Sequence, residues 1–137
     1  LQPVVNVGGH DPEFYQCLVR LRLPDGAVLD ASEFVPVAEE LGLSKLINHR
    51  ALELVIELLR ATPNRKLALN VSALSTTDGH WVDALEALTG KDRGLTERLI
   101  VQITGSAAIS DMEATAAFVS ALKNAGCKVA LDNFGAG

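Results

Sequence analysis

Basic residues are the minority charge in this sequence: twelve Lys and Arg stand against seventeen Asp and Glu, for a formal net charge of -5. With no basic stripe along any segment, a long nucleic-acid duplex is excluded as a partner, while a small charged ligand stays open. Cysteine is scarce as well. Cys17 and Cys127 lie far apart and match no metal-ligand or redox spacing, so both thiols read as free and a reducing cytoplasm fits better than secretion. Long apolar runs are absent, since Arg, Glu or Asp interrupts each of them before the roughly eighteen residues of a membrane span, and no basic start precedes an apolar signal core. The three histidines, His10, His49 and His80, show no metal-ligand spacing and read as surface or capping residues. The chain starts at Leu1 without a Met and finishes at Gly137 in a glycine-rich turn, so both ends are expected to have been cut from something longer.

What is present is enough apolar material for a packed core: 48% of 137 residues are hydrophobic and 21% charged, as in one globular domain or part of one. Turn clusters are short, at Val7 to Pro12, Pro24 to Ala27 and Thr89 to Gly94, and no repeat or internal boundary is visible. Apolar and polar residues alternate from Phe14 to Leu23, which predicts a strand; Pro24, Asp25 and Gly26 then turn the chain back toward Val28 and Leu29 as a hairpin. Ser32 reads as the cap of a helix reaching Glu40 and Leu41, with Gly42 ending it. Ser44 reads as the cap of a longer helix with Leu46, Ile47, Ala51, Leu54, Val55, Leu58 and Leu59 as its apolar stripe, ended by Pro63. Lys66 to Ser72 is then a strand, Asp78 to Leu88 a helix and Arg98 to Thr104 a strand. Ser110 with Glu113 forms a capping box for a helix through Lys123, Gly126 supplies a left-handed stop, and Cys127 to Leu131 is the last strand. Strands alternating with helices predict a mostly parallel sheet.

Residues two apart in a strand share a face. Gln16, Leu18, Arg20 and Arg22 therefore oppose Tyr15, Cys17, Val19, Leu21 and Leu23. Asn70 and Ser72 oppose Leu67, Leu69 and Val71; Gln102 and Thr104 oppose Leu99, Val101 and Ile103; Asp132 opposes Val129 and Leu131. A solvent-facing sheet would alternate in the same way, and for any one strand that reading stands. Four strands agreeing favours a shared polar site at their C-terminal ends, where a barrel gathers its ligands.

In order along the chain these residues resemble the EAL domains, bacterial phosphodiesterases and receptors of cyclic di-GMP built on a modified (β/α)8 barrel. Gln2 and Pro3 stand at the family's opening Gln-Pro. Gln16, Cys17, Leu18 and Arg20 stand at Glu-Ala-Leu-x-Arg, and Pro24 to Gly26 with Glu33 to Glu39 resemble its "PDG … EFIPLAE" stretch. Asn70 to Ser72 match Asn-Val-Ser, Gln102 to Ser106 fall at Glu-x-Thr-Glu-Ser, and Asp132 to Gly135 at Asp-Asp-Phe-Gly. The resemblance implies an α/β fold, a modified TIM barrel of EAL type, of which residues 1–137 are the N-terminal portion, because such barrels need roughly 250 residues. Half a barrel exposes an unpaired strand edge, so the remaining strands are expected elsewhere.

The family enzyme uses two Mg or Mn ions, and the resemblance assigns ligand positions to Gln16, Asn70, Gln102, Asp132 and Asn133. Four of these five are carboxylates in the family pattern; here Gln16, Gln102 and Asn133 are the amides, and Asp132 alone keeps a charge. Gly105 replaces a further family Glu. Hard cations need charged oxygen ligands, so the metals are expected to be lost and the phosphodiesterase to be silent, with no catalytic or metal residue in this chain. Recognition need not go with them. The resemblance gives Arg20 a phosphate-facing position, Gln2 a guanine-contacting one and Leu18 a place in the pocket wall. An alternative pairs Arg20 with Asp132 or Glu33 and leaves the amides as cross-links in an inert barrel.

Three functions follow in order: an inactive cyclic di-GMP receptor signalling to a protein partner or adjacent domain, with a second copy of the chain as a further candidate partner; a protein-interaction scaffold without nucleotide; and an active phosphodiesterase. Cytoplasmic placement, with tethering to a membrane only through other parts of the protein, accompanies all three. Trp81 reads as a packing residue, and Glu39, Glu40, Glu53 and Glu57 as a solvated helix face, although Glu53 and Glu57, one turn apart, would also suit a partner's basic patch.

Overall fold

A computed structural model describes residues 1–5, 8, 9 and 11–132. In chain order the elements are β1 (Gln2–Val5), β2 (Pro12–Cys17), β3 (Arg20–Arg22), β4 (Val28–Asp30), α1 (Ala31–Glu40), α2 (Ser44–Ala61), β5 (Leu67–Val71), α3 (Ala73–Thr77), α4 (Gly79–Thr89), α5 (Arg93–Thr96), β6 (Leu99–Thr104), α6 (Gly105–Ser110), α7 (Met112–Ala125) and β7 (Lys128–Asp132). Five strands form one sheet in the order β1-β2-β5-β6-β7, and β3 pairs with β4 in a separate two-stranded sheet. β1 and β2 are antiparallel, whereas β2, β5, β6 and β7 run parallel. The expected α/β architecture with a mainly parallel sheet is present.

One face of the sheet carries the core. Leu67, Leu69, Val71, Leu99, Val101 and Ile103 are buried against Leu52, Val55, Ile56 and Leu59 of α2, Trp81 and Leu85 of α4, and Phe118 and Leu122 of α7. Trp81 packs edge-to-face on Phe118, with ring centroids 5.6 Å apart, as a packing residue should. Opposite the C-terminal ends of the strands, arginines satisfy carbonyls that helix ends leave without partners. Arg98 donates to the carbonyls of Leu59, Thr62, Arg65 and Gly94, Arg93 to that of Asn124, and Arg60 to that of Leu88.

Several expectations need correcting. The strand from Phe14 to Leu23 is broken at Leu18 and Val19 because β5 accompanies β2 only as far as Cys17, opposite Leu69; beyond that the chain forms its own hairpin with β4. The shared face predicted for Gln16 and Arg20 therefore does not carry across the break. β1 holds only two aliphatic residues, Val4 and Val5, and its Pro3 is compatible with an edge strand. Asp30, not Ser32, caps α1, and its amide donates to Glu33 Oε2 at 2.8 Å. Leu43 precedes α2 without a side-chain cap, and Ser44 is already in the helix. Asp111 Oδ1, not Ser110, accepts the Ala114 amide that starts α7. The buried stripe of α2 is also rotated: Leu52 and Ile56 are inside, whereas Leu46 is 68% exposed and Leu54 46%.

Gly126 holds the left-handed stop of α7 at φ +99°, and a Cβ there would lie 2.7 Å from Thr96 Oγ1. Gly126→Ala is expected to cost about 1–2 kcal/mol from the left-handed backbone alone, with the contact adding to it. Urea unfolding of this variant beside the parent chain measures the difference.

Candidate functional site

The cross-strand register decides which side chains share the second face of the sheet. Gln2 pairs with Gln16, Gln16 with Ala68, and Ala68 with Ile100. Two residues further along, Asn70 pairs with Gln102; two further still, Thr104 pairs with Asp132. All of these therefore lie on one face, opposite the leucine-rich core. Asn70 and Gln102 sit level, Gln16 lies two residues below them and Asp132 two residues above, so the set climbs like a staircase from β2 to β7. A stagger of this kind is what a closing barrel requires, since its strands tilt and shear by about one residue per strand.

The polar character of this face is mostly neutral. Gln16, Asn70 and Gln102 contribute carboxamides and Asp132 a carboxylate, and Lys128 stands in register with Ile100 lower on the ladder. Gln16 Nε2 and Gln102 Oε1 are buried without a hydrogen-bond partner among the described residues. An amide atom left in that state costs about 1–3 kcal/mol. No group of three or more His, Cys, Asp or Glu among the described residues is arranged to hold a metal ion.

Beside the sheet, a cavity of about 260 Å³ opens between the end of β5, the β3–β4 hairpin and the start of α2. It brings together Leu18, Arg20, Asn48, Asn70 and Ser72. A neighbouring groove of about 350 Å³, lined by Leu18, Arg20, Leu21, Phe34, Leu54 and Leu58, is apolar apart from Arg20 and Arg50. Of the predicted site residues, Leu18, Arg20 and Asn70 thus meet in one cleft, and Gln2, Gln16, Asn70, Gln102 and Asp132 share the sheet face. Asn133 and His10 lie outside the described residues. Arg20 pairs with neither Asp132 nor Glu33: its Nε is 2.7 Å from Asp30 Oδ1, and Nη1 donates to the Val19 carbonyl.

Asn48 was missed in the sequence reading. It lies one turn before Leu52 on the buried side of α2, and its Nδ2 donates to Ser72 Oγ at 2.9 Å. A polar residue at that spacing in an apolar stripe was the available signal. Next to it, His49 Nε2 lies 3.1 Å from Asp78 Oδ2, while Asp78 Oδ1 accepts the His80 amide and caps α4. Together Asn48 and His49 brace α3 at both ends, directly after the strand that carries Asn70.

Both thiols are free. Burial pushes Cys17 up to about 11, against a small opposing effect of the N-terminal charge, and pushes Cys127 up to about 12. Neither is a thiolate near neutral pH, so nucleophilic cysteine chemistry is not available here.

The EAL domain family description matches residues 1–137. The chain belongs to the EAL domain family. Among curated relatives, the cyclic di-GMP phosphodiesterase PdeF of Escherichia coli is 25% identical over 99% of this EAL chain, which spans 18% of PdeF. The FimX EAL domain from Pseudomonas aeruginosa, solved bound to c-di-GMP, superimposes with a TM-score of 0.89 at 29% identity, over 99% of this chain and 56% of that one. The PaMucR phosphodiesterase in its c-di-GMP complex gives 0.84 at 25% identity, over 99% and 57%. The chain therefore spans less than a fifth of the curated relative and just over half of each solved structure, and its fold is the corresponding part of their TIM-like barrel. Among the described residues no helix is long and apolar enough to cross a membrane.

Burial pushes the Asp78 carboxyl up, but the hydrogen bonds from His49 and the His80 amide, with the Lys45 charge, outweigh it and hold the group below the usual carboxylate range. Because the folded value is the lower one, the stabilisation is present above about pH 4 and is lost as pH falls through the folded value. Asp78→Asn keeps the cap but not the charge, so its stability is expected to change less steeply with acid than the parent's. Denaturant titrations between about pH 5 and pH 2 read this out.

Proposed function

We propose that this EAL chain is the N-terminal portion of a receptor domain that binds cyclic di-GMP without hydrolysing it, and passes its occupancy to a partner protein or neighbouring domain. The observation that carries the reading is the combination of a retained cationic fork and a nearly uncharged concave face: Arg20 lines the cleft with Leu18 and Asn70, while Gln16 and Gln102 place carboxamides where the family pattern has acids.

Those side chains suit an anionic ligand better than a cation pair. Mg or Mn demands charged oxygen donors, and of the positions the family resemblance names, Asp132 alone carries a charge. In active family members the metals would supply a bound hydroxide and neutralise the phosphate; this donor set does not fit them. Carboxamides also donate. Gln16 Nε2, without a hydrogen-bond partner among the described residues, is a donor where a Glu would offer only acceptors. Arg20 can meet a phosphate through charge-assisted bonds of about 1.5–3 kcal/mol each. Gln2, in register with Gln16 at the sheet edge, extends the same polar face toward a base.

One observation favours the scaffold reading instead. Val37, Leu41, Leu43, Leu46 and Leu54, all on or beside α1 and α2, are exposed, as a protein-docking lobe would be. Titration calorimetry of the full-length protein with cyclic di-GMP separates the two. Micromolar or tighter binding without added metal, weakened at least about tenfold by Arg20→Ala, is expected of a receptor, and silence supports the scaffold. Incubation with excess Mg or Mn is expected to yield no linear dinucleotide; turnover like that of an active family enzyme would refute the loss of catalysis.

A further inference from the structure

We propose that Asp30 is a positioning residue for Arg20, docking the guanidinium so that its free edge faces an anionic group in the cleft. The inference rests on the receptor reading above and names a determinant of its affinity that neither the family motifs nor the strand pattern pointed to.

Arg20 and Asp30 are direct cross-strand partners in the β3–β4 hairpin, so the pairing is built into the backbone register. Arg20 Nε lies 2.7 Å from Asp30 Oδ1 and Nη1 donates to the Val19 carbonyl at 3.1 Å, while Nη2 makes no hydrogen bond among the described residues. Arg20 lines both the cleft and the neighbouring groove, whereas Asp30 lines neither. The carboxylate therefore stands off the cleft and holds the guanidinium from the side, instead of occupying the place a phosphate would take. Asp30 is itself tied down, since its amide donates to Glu33 Oε2 where α1 begins.

At 43% and 63% side-chain exposure, the pair contributes little to the stability of the fold. Its effect is on the arginine. A free arginine loses most of its rotamer freedom when it clamps an anion, and one already docked on Asp30 and Val19 has lost that freedom beforehand. Charge acts the other way, because a carboxylate near the site repels a phosphate. Substitutions at Asp30 thus have opposite expected signs for the two roles.

Asp30→Asn keeps an acceptor for Arg20 Nε and keeps a good helix cap while removing the charge. Asp30→Ser keeps the cap but is too short to reach the guanidinium across the hairpin. In calorimetry of the full-length protein with cyclic di-GMP, Asp30→Asn is expected to bind as tightly as the parent or tighter. Asp30→Ser is expected to bind about fivefold more weakly, the scale of a partly exposed ion pair, with an unligated thermal midpoint equal to the parent's. Three results would overturn the proposal: Asp30→Ser binding as tightly as the parent, both variants weakened equally, or an affinity loss matched by a fall in the unligated midpoint. Each of these leaves the receptor reading standing. An absence of binding by the parent protein overturns both.

Discussion

The register between the parallel strands β5 and β6 is the constraint on which the rest of the molecule depends. Leu67 opposite Leu99 and Asn70 opposite Gln102 put every leucine of both strands on the helix side and both amides on the other. A slip of one residue would turn one of the two strands over, putting its amide under α2 and α4 and its leucines on the opposite face, at a cost of buried apolar side chains and an unpaired amide. The apolar side thus enforces the polar one. Placement of the polar face is a consequence of core packing.

The same division appears along the strands. At one end, Arg60, Arg93 and Arg98 are bound to backbone carbonyls at helix ends and loops, where they close the bottom of the layer. Arg98 commits all three of its side-chain nitrogens in this way. At the other end, Arg20 is held by an exposed acid and one carbonyl and retains donor capacity facing a cleft. Position and prior engagement, more than residue type, separate a structural arginine from one able to bind a ligand.

Much of this was legible in the sequence, for identifiable reasons. β5, β6, α4 and β7 were found within one or two residues because alternation and the 3.6 period were uninterrupted and Gly126 punctuates the chain before the last strand. The polar face was legible for the same reason, although the staircase was not, since strand pairing belongs to the sheet and not to one strand. The short helices α3, α5 and α6 have no period to detect; they begin at Ser72, Asp92 and Thr104 as the chain leaves a strand or a turn. The caps of α1 and α7 shifted by one or two positions because an acid stood next to each serine, and acids and serines cap equally well. The break after Cys17 was invisible because it is caused by the end of a neighbouring strand, a distant event in the sequence.

Replacing acids by amides changes more than the charge count. A carboxylate only accepts hydrogen bonds, so a face lined with carboxylates needs cations before it can approach a phosphate; a carboxamide donates as well and needs none. Gln16 Nε2, a donor, and Gln102 Oε1, an acceptor, are both buried without a hydrogen-bond partner among the described residues. Such a face can bond to both the anionic oxygens and the donor groups of a nucleotide. In that setting Arg20 becomes the principal source of charge attraction in the cleft, and how it is held gains weight. A flexible cation among acids can rely on the local field; a cation among amides depends more on orientation, and for Arg20 that orientation comes from the hairpin that places Asp30 across from it.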